Sequence, residues 1–214
     1  LRLLYLGDTL ESATNQFKKF YPIQLDSEDK AKTIPNGEEA LKQYVSRWMA
    51  EDGKNWKLLT VELKESFDFG QEDHFTVVLD MVAENKNYGG IYGFDHKVVG
   101  GKRATLSYDY WNEFNPNSQI TKYFAYIKSK YGDCSGFYIN AIGMRNRLRK
   151  YKGEEAGFHP RFERQMFSRS NDQLEQERKD TEYWISCIEQ ARASNYYGMN
   201  TEACKFCTYR PGIC

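Results

Sequence analysis

Two apolar segments separated by a turn signal constrain the fold of this chain most strongly. His74–Val82 is one apolar segment, and Gly90–Val99 is the other. Between them, the stretch AENKNYGG has the Asn and Gly residues that reverse the chain between antiparallel strands. Just upstream, Leu59, Val61 and Leu63 alternate with polar residues, a pattern typical of a strand with one buried face. We therefore predict a three-stranded antiparallel meander.

Helical and strand patterns alternate around this meander. Glu38–Asp52 and Gln119–Tyr131 carry apolar residues at the three- and four-residue spacing of amphipathic helices, and Gly53 marks a stop for the first of them. Phe137–Ile142 and Phe162–Phe167 are short enough and apolar enough for further strands. This order predicts an α/β fold with a mixed sheet.

A long helix is predicted over Asp172–Ala193, ahead of a cysteine-rich tail. Its predicted inward-facing residues are Leu174, Thr181, Trp184, Ile185 and Ile188. With 214 residues, the chain suits a single domain over 1–214, with residues 194–214 as its tail. Because the first residue is Leu1 and not Met, we expect a further segment upstream.

The charge balance narrows the function classes. Thirty basic and thirty acidic residues give no net charge, which excludes a histone-like polycation but permits a local nucleic-acid groove. No apolar run approaches the roughly 20 residues that a membrane-spanning helix needs. We therefore expect a cytoplasmic protein that does not enter the membrane.

Two carboxylates and a lysine on the predicted hairpin suggest a metal site. Side chains alternate along a strand, so Asp95 and Lys97 should share one face while His96 points to the other. Asp80, late in the preceding strand, should come to lie beside Asp95. Paired carboxylates repel each other, and a divalent cation with a preference for oxygen, Mg²⁺ or Mn²⁺, relieves that repulsion. The alternative is an exposed hairpin with ordinary surface charges.

A basic region is the candidate nucleic-acid surface. Ten basic and four acidic residues lie between Lys122 and Arg164, and the run MRNRLRKYKG is the densest part. Its candidate phosphate contacts are Arg145, Arg147, Arg149 and Lys150. The alternative interpretation is a solvated loop.

Cysteines are concentrated at the end of the chain. The count is five, and Cys204, Cys207 and Cys214 lie within the last eleven residues. This odd, clustered set favours thiolate ligation of a metal in a reducing compartment over a disulfide framework. Three thiolates leave a four-sulfur site incomplete, so the fourth ligand would lie upstream or be Cys187. Cys187 falls on the predicted inward side of its helix, which favours a buried, inert thiol; Cys134 is predicted to be a free thiol near a turn.

Together, these motifs resemble the PD-(D/E)XK nuclease superfamily, and in particular its RecB-like branch of CRISPR-associated and phage exonucleases. The resembling segments are TVE (Glu62), VVLD (Asp80), FDHK (Asp95 and Lys97), QITKY (Gln119 and Tyr123) and ACKFCTYRPGIC. The resemblance implies a restriction-endonuclease-like core and metal-dependent cleavage of DNA. It also implies a 4Fe–4S cluster that staples the two ends of the chain, whereas Zn²⁺ is the alternative for these cysteines.

The resemblance also assigns roles to residues. Asp80 and Asp95 would hold Mg²⁺ or Mn²⁺, the backbone carbonyl of His96 could add a ligand, and Lys97 would assist the attacking water. Gln119 and Tyr123, four residues apart on one helical face, would help to hold the DNA strand. Two features depart from the family pattern: Glu11 stands in GDTLE where a histidine ligand is usual, and Val77 and Val78 stand where a glycine is usual.

Three functions follow as hypotheses. The first is a metal-dependent DNA exonuclease of DNA repair, recombination or phage DNA processing, acting on single-stranded ends and working with a helicase or recombination partner. The second is a catalytically impaired nucleic-acid-binding or scaffold module of a repair complex. The third is a zinc-stapled domain of such a complex.

Overall fold

A computed structural model describes residues 1–20, 31–68, 74–147, 153 and 156–196 of the chain. The chain divides into two compact units, Leu1–Leu174 and Glu175–Cys214. In the second unit the described part is residues 175–196. Cys204, Cys207 and Cys214 of the tail, with Arg149 and Lys150, lie outside the described residues.

The five predicted strands are present in the predicted order, and two short strands that were not predicted lie between the last two of them, which makes seven described strands. They are β1 (Trp56–Asp68), β2 (His74–Asn85), β3 (Ile91–Val99), β4 (Gly136–Gly143), β5 (Asn146–Arg147), β6 (Gly157–Phe158) and β7 (Arg161–Phe167). Among the described residues, five of them form one sheet in the order β1-β2-β3-β4-β7, and β5 pairs with β6 separately. The pairs β1–β2, β2–β3 and β4–β7 are antiparallel, and β3–β4 is parallel. The antiparallel meander and the mixed α/β sheet are therefore confirmed.

Helices of the first unit cover both faces of this sheet. The α-helices of the described residues are α1 (Arg2–Tyr5), α2 (Leu10–Phe20), α3 (Ile34–Tyr44), α4 (Ala50–Asn55), α5 (Tyr108–Asn112) and α6 (Ser118–Tyr131), and α7 (Asn171–Ser194) leads from the first unit into the second. One core cluster joins sheet residues such as Leu79 and Ile139 to Phe124 and Ile127 of α6. The other joins Met81, Phe94 and Phe162 to Tyr5 of α1 and Tyr44 of α3. Within the described residues, no helix is both long enough and apolar enough to cross a bilayer.

The first predicted helix differs from the observed one at both ends. The observed helix α3 begins at Ile34, four residues before the predicted start at Glu38, and the Thr33 hydroxyl caps it by accepting a hydrogen bond from the backbone N–H of Asn36 (3.3 Å). It then continues through a π-helical turn at Val45–Met49 into α4, past Gly53, to Asn55. The predicted stop at Gly53 is therefore wrong. Gly53 lies inside α4, and the helix ends at Asn55 because Trp56 takes up the extended conformation of β1.

The predicted inward face of α7 is only partly correct. Leu174 packs against the first core cluster, and Thr181 is buried. Trp184 and Ile188, in contrast, are 64% and 50% exposed. Helical spacing identifies residues that share a face, but it does not show how much of that face has a partner.

Candidate active site

The candidate site lies where β2 separates from β3. The β2–β3 register runs from Glu84 opposite Ile91 to Met81 opposite Phe94, and Asp80 is the next residue of β2. Beyond Phe94, β3 pairs with β4 on its other edge. The backbone N–H of His96 is thus free to bond a side chain, and it donates to Asp80 Oδ2 at 2.6 Å. The strand that carries Asp95 therefore holds the Asp80 carboxylate directly.

Asp95 and Lys97 form the second part of the site. Lys97 Nζ lies 2.8 Å from Asp95 Oδ2, so the two side chains share one face of β3, as strand alternation predicts. The Asp95 side chain is 12% exposed and that of Lys97 is 34% exposed. The ammonium group thus neutralises a buried carboxylate while remaining accessible from solvent.

The Asp80 carboxyl is electrostatically coupled to this pair. Burial is the main cause that raises its pKa above the ordinary value, the His96 N–H acts in the opposite direction, and the negative charge of Asp95 raises it further. Lys97 lowers the pKa of Asp80 through its positive charge. The structure therefore brings Asp80, Asp95 and Lys97 into one interacting group.

Glu62 is a third acidic residue at this position. It stands on β1 between Val61 and Leu63, whose partners Met81 and Leu79 flank Asp80. Its backbone has φ 47°, in the left-handed region that a glutamate rarely adopts and that concentrates at functional sites. Its carboxylate accepts a hydrogen bond from Arg2 at 2.9 Å and contributes to the raised pKa of Asp80. The sequence places Glu62 in a motif, but its position opposite Asp80 emerges only from strand register.

Tyr123 and Gln119 approach the same group from α6. Gln119 Nε2 lies 2.9 Å from the Tyr123 hydroxyl, which accepts its hydrogen bond, and Tyr123 is buried. Burial is the main cause of the raised pKa of Tyr123, and Asp95 raises it further. The helical spacing thus joins the two side chains, as predicted, and the Tyr123 hydroxyl feels the charge of Asp95.

His96 contributes its backbone, not its ring, to this group. Its Nδ1 accepts a hydrogen bond from the Asn140 amide at 2.9 Å, and its ring stacks on Tyr5 with centroids 5.6 Å apart. Burial lowers the pKa of His96 to about 3, so the ring is neutral at physiological pH. Asn140 is fully buried in β4, and an asparagine inside the apolar run FYINAIG was the sequence signal that could have identified it.

The His96 ring belongs to a buried polar network on the other face of the sheet. The Asn140 amide also donates to the Tyr44 hydroxyl at 2.6 Å, and that hydroxyl lies 2.6 Å from the hydroxyl of Tyr5. Tyr5 donates to Asp52 Oδ2 at 2.7 Å. Asp52 is paired in turn with Arg164, whose two guanidinium nitrogens reach its two oxygens at 2.7 and 3.0 Å. This network, from Arg164 to His96, supports β3 from behind the candidate site.

Asp80 and Asp95 offer carboxylate oxygens to a divalent cation, but the predicted third side chain, Glu11, does not join them. Among the described residues, no group of three or more His, Cys, Asp or Glu side chains is arranged to hold a metal ion. Glu11 is exposed on the first turn of α2 and does not form such a group with Asp80 and Asp95. Mg²⁺ commonly binds through one or two carboxylates and keeps several waters, so Asp80 and Asp95 fit it. Burial and the negative charge of Asp95 raise the pKa of Asp80, so its ionised form is disfavoured there and a neighbouring positive charge would favour it.

The structure describes four further predicted residues: Arg145, Arg147, Cys134 and Cys187. Arg145 is half-buried just before β5, and the backbone of Arg147 forms part of that strand. Cys134 is a free, half-buried thiol, as predicted, and burial raises its pKa to about 12. Cys187 is free and only half-buried, whereas a buried thiol was expected. The α7 residues around Cys187 are more exposed than the apolar periodicity predicts.

Asp80→Asn is expected to stabilise the metal-free protein by roughly 1 kcal/mol at neutral pH, because it removes a destabilised charge and keeps an oxygen for the His96 N–H. A carboxyl whose pKa is raised by folding favours the folded state below its unfolded pKa, and that contribution is lost as pH rises through the folded pKa. The gain from Asp80→Asn should therefore shrink on acidification. Urea unfolding at a series of pH values measures it.

The wild type and Asp80→Asn also test whether Asp80 binds a divalent cation. Mg²⁺ at about 100 times its Kd should stabilise the wild type by about 2.7 kcal/mol, and Asp80→Asn should lose most of this gain. Equal stabilisation of both proteins by Mg²⁺ would show that Asp80 is not a ligand.

Comparison of the chain with protein-family models and with curated proteins finds no match. The interpretation of the site therefore depends on its own geometry and chemistry.

Proposed function

We propose that this chain is a Mg²⁺- or Mn²⁺-dependent DNA exonuclease with a PD-(D/E)XK-type site on a restriction-endonuclease-like core. The observation that carries the proposal is the fork between β2 and β3, where the His96 N–H holds Asp80 beside the Asp95–Lys97 pair. Two coupled carboxylates can hold a cation that activates water, and an ammonium group beside them can stabilise the charge that develops on a phosphodiester during hydrolysis.

Asp80 and Asp95 would hold the cation, with the His96 carbonyl as a further oxygen donor. When bound, the cation would lower the pKa of a water molecule and place a positive charge next to the phosphoryl oxygens. Lys97 hydrogen-bonds the attacking water and stabilises the negative charge that develops on the phosphate. Asp95 fixes the position of the Lys97 ammonium group. Tyr123 and Gln119 offer polar contacts to the DNA strand from α6.

The proposal extends to a structural metal centre at the tail. Cys204, Cys207 and Cys214 would ligate a 4Fe–4S cluster, with a fourth ligand upstream or at Cys187. Burial raises the pKa of the Cys134 thiol to about 12, which disfavours the thiolate form that a metal ligand requires. Zn²⁺ is the alternative metal for these thiolates. Anaerobically purified protein separates the two metals, because iron–sulfur clusters absorb visible light and zinc thiolates do not.

The substrate in this proposal is DNA with single-stranded ends. The basic run that contains Arg145, Arg147, Arg149 and Lys150 supplies phosphate contacts, and a helicase or recombination protein is the proposed partner. Repair, recombination or phage DNA processing in the cytoplasm is the corresponding setting.

A second candidate is a nucleic-acid-binding or scaffold module without catalysis. The observation that favours it is that Glu11 does not complete a three-carboxylate group with Asp80 and Asp95. A divalent cation held by only two side chains would bind more weakly than one held by three.

Degradation of linear single- and double-stranded DNA in Mg²⁺ or Mn²⁺, with EDTA as the negative control, distinguishes the two candidates. The nuclease proposal requires cleavage that depends on the cation and is lost in Asp95→Asn. Retention of DNA without cleavage under every cation would support the binding module and reject the nuclease.

A further inference from the structure

The outer edge of β7 has no strand partner among the described residues. β7 is the last strand of the five-stranded sheet, and β4 pairs with its inner edge. That pairing continues from Arg161 to Phe167 without a register shift, and β7 contains neither the lysine nor the proline that commonly protects an open edge. The outward N–H and C=O groups of β7 are therefore a template for another extended segment.

A groove follows this edge along the whole of β7. It consists of three depressions of about 560, 350 and 300 Å³, of which the first two share Phe162 and Glu163 and the last two share Trp111 and Gln165. Trp48 and Trp111 line the middle depression from opposite sides, because Trp48 packs on one face of the sheet and Trp111 on the other. A single extended segment fits between these walls, whereas the sheet of a second copy would meet the walls first.

The charges that line the groove favour an acidic segment. Four arginines and one glutamate line it. Arg164 is paired with the buried Asp52, and Arg161 lies 2.7 Å from Glu163. Arg47 is exposed and forms no ion pair with another described residue. Its positive charge can therefore bind a carboxylate of a partner.

The aromatic residues of the groove are less suited to a nucleic acid. The guanidinium groups of Arg47 and Arg164 lie 5.3 and 4.4 Å from the centroid of the Trp48 ring, where a stacked base would have to lie. Trp111 Nε1 donates to the Glu163 carboxylate at 3.3 Å, and that negative charge would repel a phosphate. A polypeptide, in contrast, offers both N–H donors and C=O acceptors to the edge of a strand.

We propose that the outer edge of β7 binds an extended peptide of a partner protein, which adds a strand to the sheet and places an acidic side chain at Arg47. Main-chain hydrogen bonds to β7 supply the affinity, and the charge of Arg47 selects the acidic residue. This inference does not depend on the proposed nuclease function, because the groove lies along β7 and the candidate active site lies between β2 and β3.

The test selects peptides from a random phage-displayed library on the full chain and measures fluorophore-labelled synthetic copies by anisotropy. The selected peptides should be enriched in Asp and Glu. Methylation of every second backbone amide should abolish binding in one phase and spare it in the other, because alternate amides of a strand face the same partner. Arg47→Glu, on an exposed side chain, should weaken binding by about tenfold. A lysine in place of the acidic residue of the peptide should restore binding to this variant.

Lys42→Glu is the matched control, because Lys42 is exposed on α3 but does not line the groove, so its reversal should leave peptide affinity unchanged. Failure to select any peptide whose binding depends on the methylation phase overturns the proposal; this is also the result if another segment of the chain occupies the edge. Two further results overturn it by assigning the groove to a different occupant. One is a single-stranded oligonucleotide that competes with the peptides and loses affinity in Arg47→Glu, and the other is a dimer in sedimentation velocity that Arg47→Glu dissociates.

Discussion

Lys97→Met is expected to lower kcat for metal-dependent DNA cleavage by about a thousandfold. The substitution keeps most of the side-chain volume but removes the ammonium group that lies 2.8 Å from Asp95. That charge would stabilise the phosphate in the transition state more than in the ground state, so kcat should fall more than KM rises. Steady-state kinetics on a linear DNA substrate in Mg²⁺ measures both constants.

The pH profile of the same variant separates catalysis from structure. Asp80 must be ionised to hold a cation, and the positive charge of Lys97 lowers its pKa. Without Lys97, the pKa of Asp80 should rise further, so the remaining activity should begin to fall at a higher pH during acidification. A variant that had only lost stability would keep the wild-type profile.

Lys57→Met provides the matched control. Lys57 lies on the neighbouring strand β1, and its Nζ is 3.0 Å from Glu84 in an exposed pair. Its loss should leave kcat, KM and the pH profile unchanged. If Lys97→Met retained a tenth or more of the wild-type kcat, the proposed role of Lys97 in the reaction would be wrong.

The sequence allowed much of the sheet to be predicted because its signals are local. The turn residues of AENKNYGG fix the direction of β3 relative to β2, and alternation places Asp95 and Lys97 on one face. Helical spacing likewise pairs Gln119 with Tyr123. Each of these arrangements depends on residues within a few positions of one another.

The fork at Asp80 could not be predicted in this way. The β2–β3 ladder ends at Met81, although β2 itself continues upstream of Asp80 through the apolar residues Leu79, Val78 and Val77. The side-chain alternation of β2 is also interrupted here. Leu79 and Met81 are two residues apart and would share a face on a regular strand, yet Leu79 belongs to one core cluster and Met81 to the other. On β1, Glu62 adopts its left-handed backbone at the same position. Such a change depends on how the two layers of helices pack, which no local pattern records.

The polar network was missed for a related reason. Asn140 meets Tyr44 across 96 positions of sequence, and Arg164 meets Asp52 across 112. Asp52 looks in the sequence like an ordinary polar residue near the end of a helix. Its burial follows from the π-helical turn and from the continuation of the helix past Gly53.

Arg164→Met is expected to lower the free energy of unfolding by about 3–5 kcal/mol, because it leaves the Asp52 carboxylate buried without its charged partner. The two side chains are 9% and 3% exposed, and the Arg164 guanidinium also lies over the Trp48 ring, 4.4 Å from its centroid. Removal of the pair by Asp52→Leu together with Arg164→Met should recover most of the loss, since no buried charge then remains. Urea unfolding of the two single variants and the double variant measures these differences.

Loss of the exposed Lys57–Glu84 pair should cost only about 0–1 kcal/mol, which makes it the control for ion pairing at the surface. A loss below 1 kcal/mol for Arg164→Met would instead indicate that water reaches Asp52. The double variant also tests how far the network supports the candidate site, because Asp52 is joined through Tyr5, Tyr44 and Asn140 to the ring of His96. If the network positions β3, the double variant should regain stability while its kcat for DNA cleavage stays below the wild-type value. Since His96 holds Asp80 through its backbone, stability and catalysis should respond differently to the same pair of substitutions.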